Sequence, residues 1–184
     1  MKYNEVKMKI VTTPMCEYIL SLAGVKEFDV NSNPDSTDAD IAVVLSETNT
    51  KMKSVKLKLN TFSQIKNSIE MLRDIFETDA LEYNDICNVF TNFQQSENQK
   101  IKVKVYSNFL KEIIDDLGFT IVSGNQDYQY LVYPDYIRNE LTDEIIIMED
   151  RVVEIPSHKN APKDPIKRAE MRYKLLEKKL CTKP

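Results

Sequence analysis

The sequence predicts an α/β fold, a mixed and largely parallel sheet with helices on its faces, and three observations predict it. Short apolar runs of strand length alternate with stretches of helical periodicity, the pattern of βαβ units. The run Ile41–Leu45, IAVVL, is apolar throughout, as expected of a strand covered on both faces. The strand–helix–glycine arrangement of Lys9–Gly24 then returns after Ile101.

Lys9–Thr13 reads as the first strand, Pro14 as its turn, and the next residues as a helix that Gly24 stops. Lys26–Val30 follows as a short strand, and Asn31–Asp40 (NSNPDSTDAD) as a polar turn cluster before IAVVL. Val55–Leu59 (VKLKL) alternates as a half-exposed strand does. Phe62, Ile65, Ile69, Leu72 and Phe76 then fall at spacings of three and four, one face of a helix over Thr61–Phe76 that Thr61 or Ser63 can cap. A further helix is expected over Thr78–Phe93, and a polar loop over Gln94–Lys100.

Ile101–Tyr106 (IKVKVY) alternates as a strand, and Ser107 can cap a helix whose face is Phe109, Leu110, Ile113, Ile114 and Leu117. Gly118 ends that helix, and Phe119–Ser123 makes the next strand. Thr12 to Gly24 and Tyr106 to Gly118 are the same distance, so two of the three glycines stand at equivalent helix ends. This is either a two-fold βαβ pseudo-repeat or the shared grammar of α/β proteins. Tyr128–Tyr133 is one more strand, and Ile145–Met148 with Arg151–Ile155 is expected as a hairpin. Pro156–Pro165 reads as a linker, and Asp164-Pro165 as the start of a terminal helix. The expected division is therefore an α/β domain over residues 1–156 and, over 157–184, a Pro-rich linker with a basic amphipathic C-terminal helix.

Composition narrows the class. A hydrophobic fraction of 42% with 29% charged residues is that of a folded globular chain. No run is long and apolar enough for a membrane span, the start lacks an apolar signal region, and a cytoplasmic chain is expected. Cys16, Cys87 and Cys181 are odd in number and widely spaced, which argues against a disulfide framework or a self-contained zinc site. The net charge of −4 is uneven: residues 159–184 carry nine Lys/Arg against three Asp/Glu, a net +6, leaving −10 on residues 1–158. A basic arm on an acidic body suits a protein partner, and the body would repel nucleic acid.

The residues with chemistry to offer are few. Cys16 stands where a helix N-terminus would favour its thiolate, beside Thr12 and Thr13, and Ser107 and Asn108 occupy the matching strand end. The loops TTPMC and YSNF contain no glycine, so neither a P-loop nor a Rossmann fingerprint is present. His158, the single histidine, lies in the linker and is expected to be solvated. Asp35, Asp38 and Asp40 could suggest a hard cation, but their spacing does not match an EF-hand and turn-forming duty is expected of them. Tyr128, Tyr130, Tyr133 and Tyr136 beside Arg138 form an aromatic cluster suited to core and rim or to a partner, and flanking acids disfavour nucleic acid. In the terminal helix Ile166, Ala169, Tyr173, Leu176 and Leu180 form a narrow apolar seam, with Arg172 and Lys179 beside it as partner contacts.

The opening KIVTTPMCE and the later DADIAVVLSE at Asp38–Glu47 resemble small proteins of methanogenic archaea grouped with the methanogenesis-marker proteins. The resemblance covers about 40 residues. It implies a context, the maturation or ATP-dependent activation of methyl-coenzyme M reductase within large assemblies, and carries over no functional residue. The sequence thus points first to a non-catalytic accessory or assembly subunit, without cofactor or metal, that binds a protein partner through its C-terminal helix. The rival is a small α/β ligand-binding protein or thiol-dependent enzyme with its site at the strand carboxyl ends around Thr12, Thr13, Cys16, Ser107 and Asn108.

Overall fold

The computed structural model describes residues 8–79, 98–124, 126–157 and 160–181. The chain has the expected α/β class, and its strands divide into two four-stranded sheets in which every described pairing is parallel. They belong to two compact units, Met1–Leu59 with Ser63–Asp85, and Asn60–Phe62 with Ile86–Pro184.

The first unit runs β1 (Ile10–Thr12), α1 (Glu17–Leu22), β2 (Asp29–Val30), β3 (Ile41–Leu45), β4 (Ser54–Leu57) and, from Ser63 on, α2 (Phe62–Phe76). Its strand order is β2-β1-β3-β4. IAVVL lies inside the sheet with Ile41 to Val44 buried, which is why it carries no polar residue. VKLKL ends up on the edge, where Lys56 faces water and Leu57 faces the core. Ile65, Ile69 and Leu72 are the buried stripe of α2.

The second unit repeats the plan with β5 (Lys102–Val105), α3 (Asn108–Asp116), β6 (Thr120–Val122), β7 (Tyr130–Pro134), α4 (Thr142–Met148), β8 (Val152–Ile155) and α5 (Pro165–Leu180). The order β6-β5-β7-β8 matches that of the first sheet. The likeness extends to the helix ends. Gly24 and Gly118 have φ of 82° and 81°, Val25 N–H donates to Leu20 O and Phe119 N–H to Ile114 O, each at 3.1 Å, so both helices close with the same Schellman turn.

Two expectations are corrected. The hairpin over 145–155 is absent, because Ile145–Met148 is the end of α4 and only Val152–Ile155 is a strand, lying parallel to β7. An apolar run of four can serve helix or strand, and here Met148 packs with Leu131 and Tyr133 as one helix face. The C-terminal helix, expected as an arm, is part of the second unit. Asp164 caps it as the sequence suggests, accepting from Ile166 N at 2.8 Å and Lys167 N at 3.2 Å. The helix expected over Thr78–Phe93 lies almost wholly outside the described residues.

Candidate functional site at the carboxyl edge of the second sheet

In a parallel sheet ordered in this way, the two connections leaving the strand ends diverge between β5 and β7, which is where open α/β sheets form their ligand-binding crevice at the carboxyl edge. Four segments meet the edge: Tyr106–Phe109 after β5, Asp135 after β7, the residues Pro156, Ser157 and Asn160 after β8, and α5.

Ser107 is its most unusual residue. Tyr106 N–H still pairs with Val132 O at 2.9 Å, but Ser107 turns to φ 104° and ψ 145°, close to a region that only glycine occupies freely. Its hydroxyl is buried without a hydrogen-bond partner and makes no cap bond to α3. Lys111 N–H reaches back to Ser107 O at 3.2 Å, so the first turn of α3 presents the N–H groups of Asn108, Phe109 and Leu110 outside the helical ladder.

Asp135 accepts from Ser157 Oγ and from Asn160 Nδ2, the latter at 2.8 Å. Burial pushes this carboxyl up, but those bonds and the backbone N–H groups of Ser157 and Tyr136 outweigh it and leave it below its ordinary range. Arg172 is only 6% exposed, and its guanidinium stacks 4.6 Å from the Phe109 ring centre. Its Nε and NH2 donate to Pro156 O at 3.4 and 3.3 Å. Burial, with Arg168 nearby, lowers it to about 10, against the opposing pull of Asp135. Arg168 in turn donates to the carbonyls of Pro162 and Lys163 at 3.1 Å, which fixes the segment entering α5. Tyr173 donates to Asp116 Oδ2, so α5 is also tied to the far end of α3.

A second polar cluster lies beside β5. Glu144 of α4 accepts from Lys104 Nζ at 2.7 Å, Tyr128 OH at 2.6 Å and Tyr106 OH at 2.8 Å. Lys104 also lies 5.3 Å from the centres of both tyrosine rings. The bond to Glu144 holds Lys104 above its ordinary value. For Glu144 burial acts upward, and the three donors outweigh it and bring the carboxyl down. Every oxygen of Glu144 is engaged, so this cluster clamps α4 onto the sheet.

The residues singled out from sequence fall as follows. Ser107 and Asn108 stand at the crevice. Thr12, Thr13 and Cys16 stand at the corresponding edge of the first sheet, all buried, with Thr12 Oγ1 donating to Val43 O at 2.8 Å. Cys16 is fully buried at the entry to a six-residue helix, which closes its thiol to reagents. The apolar seam expected to meet a partner is filled by the chain itself: Ala169, Arg172, Tyr173, Leu176 and Leu180 are buried, Ile166 is half-buried, and Lys179 remains exposed. Asp35 serves the 50–52 turn, accepting from Thr50 and from Lys51 N, while Asp38 and Asp40 bind Lys9, so the three acids do not converge. Of the tyrosines, Tyr133 is core and Tyr136 is exposed. Cys87 and His158 lie outside the described residues. Asp135, Ser157 and Asn160 were not picked out from sequence, although Asp135 directly after a strand ending in Pro134 was the available signal.

The arrangement belongs to the class of two-unit, parallel-sheet α/β proteins, and comparison with known proteins agrees. No family model matches the chain, and no curated protein does. Among solved structures, it is similar to the Zn(II)-bound ZnuA-like domain of Streptococcus pneumoniae AdcA, with a TM-score of 0.56 and 14% identity over 95% of this chain and 99% of that one. It is similar to Zn(II)-bound AdcA of the same organism, with a TM-score of 0.54 and 13% identity, and there spans 58% of that longer chain. A Zn(II)-bound AdcAII mutant variant, also from S. pneumoniae, gives a TM-score of 0.56 and 12% identity over 95% and 99%. At these identities the likeness is one of fold.

The described donors do not by themselves make a zinc site. Among the described residues no three His, Cys, Asp or Glu side chains are placed to hold a metal, and both oxygens of Asp135 are already engaged. Nor does Ser107 have a base on its hydroxyl.

Proposed function

We propose that this chain is a non-catalytic ligand-binding α/β protein whose site is the carboxyl edge of the second sheet, where Ser107 and the first turn of α3 take an oxygen-rich group such as a carboxylate or phosphate. One observation carries the reading: a serine held in a strained backbone, with a buried hydroxyl that nothing answers, at the point where the sheet topology opens a crevice. The N–H groups of Asn108, Phe109 and Leu110 add donors, and Arg172 and Arg168 add positive charge behind them. The neighbours' Zn(II) supports binding as a use of this fold, while the donors here favour a different ligand.

The test is an amide-resolved titration of the protein with inorganic phosphate, acetate and Zn(II). Saturable shifts confined to Tyr106–Leu110 and Asp135, weakened in Ser107→Ala, are expected for the two oxyanions. Shifts elsewhere, or none, reject the site.

A protein partner is the second reading, and it continues the accessory-subunit expectation without the C-terminal seam. The paired exposed isoleucines of α4 favour it.

A further inference from the structure

α4 presents two faces of opposite character. Inward, Glu144 is clamped by Lys104, Tyr106 and Tyr128, and Met148 packs with Leu131 and Tyr133. Outward stand Ile146 and Ile147, 66% and 74% exposed, the two most exposed large apolar side chains among the described residues. Single exposed apolar residues are ordinary on a protein surface, but here two β-branched ones are adjacent on a helix held rigidly from behind.

Their surroundings are acidic. Asp143, Ile146 and Ile147 fall at spacings that share one face of α4, while Glu140 precedes the helix and Glu149 and Asp150 follow it in the chain. All four carboxylate residues are exposed, and none makes an ion pair among the described residues. Glu149, which ends α4, has φ 46° and ψ −114°, a conformation that costs a non-glycine residue energy and so must be enforced by its surroundings. The result is a fixed apolar pair with four exposed carboxylates close to it in the chain and one exposed cation, Arg151, at the far end.

We propose that the outer face of α4 docks a basic protein segment, an amphipathic helix whose apolar side seats on Ile146 and Ile147 while its lysines or arginines meet Asp143, Asp150, Glu140 and Glu149. Charge complementarity selects this occupant. Four free carboxylates repel nucleic acid and anionic lipid and attract a cationic polypeptide, and a central apolar pair supplies the contact that holds it. The inference is independent of the crevice at Ser107.

The experiment uses the full chain and a fluorescent synthetic leucine–lysine amphipathic helix, with a leucine–glutamate helix as control, followed by anisotropy. Saturable binding of the cationic peptide alone is expected. Ile146→Ser with Ile147→Ser should weaken it by about tenfold or more, since exposed anchors of this kind contribute above about 1.4 kcal/mol. Asp143→Asn with Asp150→Asn should flatten its salt dependence. Both double variants alter exposed groups only, so an unchanged far-UV circular dichroism melt verifies the fold. Absent saturable binding, equal binding by the isoleucine variant, or equal binding of the anionic peptide overturns the proposal. So does self-association of the parent in sedimentation that the isoleucine variant loses, which would make a second copy the occupant.

Discussion

In the first unit β1 ends at Thr12, whose hydroxyl donates to Val43 O across to β3; in the second, β5 runs on into Ser107, whose hydroxyl is buried with no partner and whose backbone is strained. Strand order and helix-end turns are the same in both. The carboxyl edge is therefore tied across by the Thr12 side chain in one unit, while in the other the residue one position further along, Ser107, whose counterpart is Thr13, is left under tension. Topology supplies the place for a site, and local chemistry decides whether a site is there. The units differ as well in their covering: buried α5 residues complete the second unit's core.

That difference can be broken most directly at Leu176, which is fully buried. Leu176→Ala should cost about 2–5 kcal/mol, read by urea unfolding, and hydrogen exchange should quicken at Val103 and Val132 while Val11 and Val43 keep their protection. Equal loss in both units would show that the core is shared. The matched helix ends sharpen the comparison next. Gly118→Ala should cost about 1–2 kcal/mol for its left-handed backbone. Gly24→Ala should add a steric cost to that backbone cost, about 2–4 kcal/mol in all, because a Cβ there would lie 2.6 Å from Asp79 O. A loss at Gly24 no larger than that backbone cost alone would contradict the close approach of Asp79 O.

Glu144→Gln should destabilise the second unit by about 2 kcal/mol, since it weakens charge-assisted bonds to three donors. The same group sets a pH dependence. Its carboxyl is lowered on folding from an ordinary value of 4.5, so the unfolded chain takes up the proton first as pH falls. Its contribution is complete above about pH 4.5 and is lost as pH drops through the folded value. Acid unfolding followed by tyrosine fluorescence should show that loss in the parent and not in Glu144→Gln. The smallest effect is the most specific to the crevice. Ser107→Gly should stabilise by about 1 kcal/mol, as relief of about 1–3 kcal/mol of strain exceeds glycine's entropy cost of about 0.5–1 kcal/mol. Thr13→Gly, where the backbone has no positive φ, should do the opposite in calorimetry.

Much of this fold was legible from local signals. Gly24 and Gly118 announced the helix ends, IAVVL and VKLKL announced a strand covered on both faces and a half-exposed one, and Asp164-Pro165 announced α5, because caps, alternation and burial are written within a few residues. The division into two sheets was not, since strands of two to five residues choose partners through contacts far along the chain. Ile145–Met148 misled because a short apolar run carries no period. The candidate site was half legible: strand ends pointed to Ser107 and Asn108 as candidates, but a positive φ at a serine has no sequence signature. Asp135 and Arg172 meet there only through folding. The seam of α5 was read correctly as apolar, and its burial within its own unit depended on the tertiary structure.

The position of α5 along the chain also orders events on the ribosome. All four strands of the first sheet have been made by Leu57, and α2 by Phe76, so that unit can begin to compact while synthesis continues. The second unit needs Tyr173, Leu176 and Leu180 before its core is closed. At ~5–20 residues per second, on the order of 100 intervening residues separate the two moments by several seconds or more. During that interval β5 to β8 are exposed to chaperones without their covering helix, and a stalled-chain protease assay should find the first unit resistant before the second.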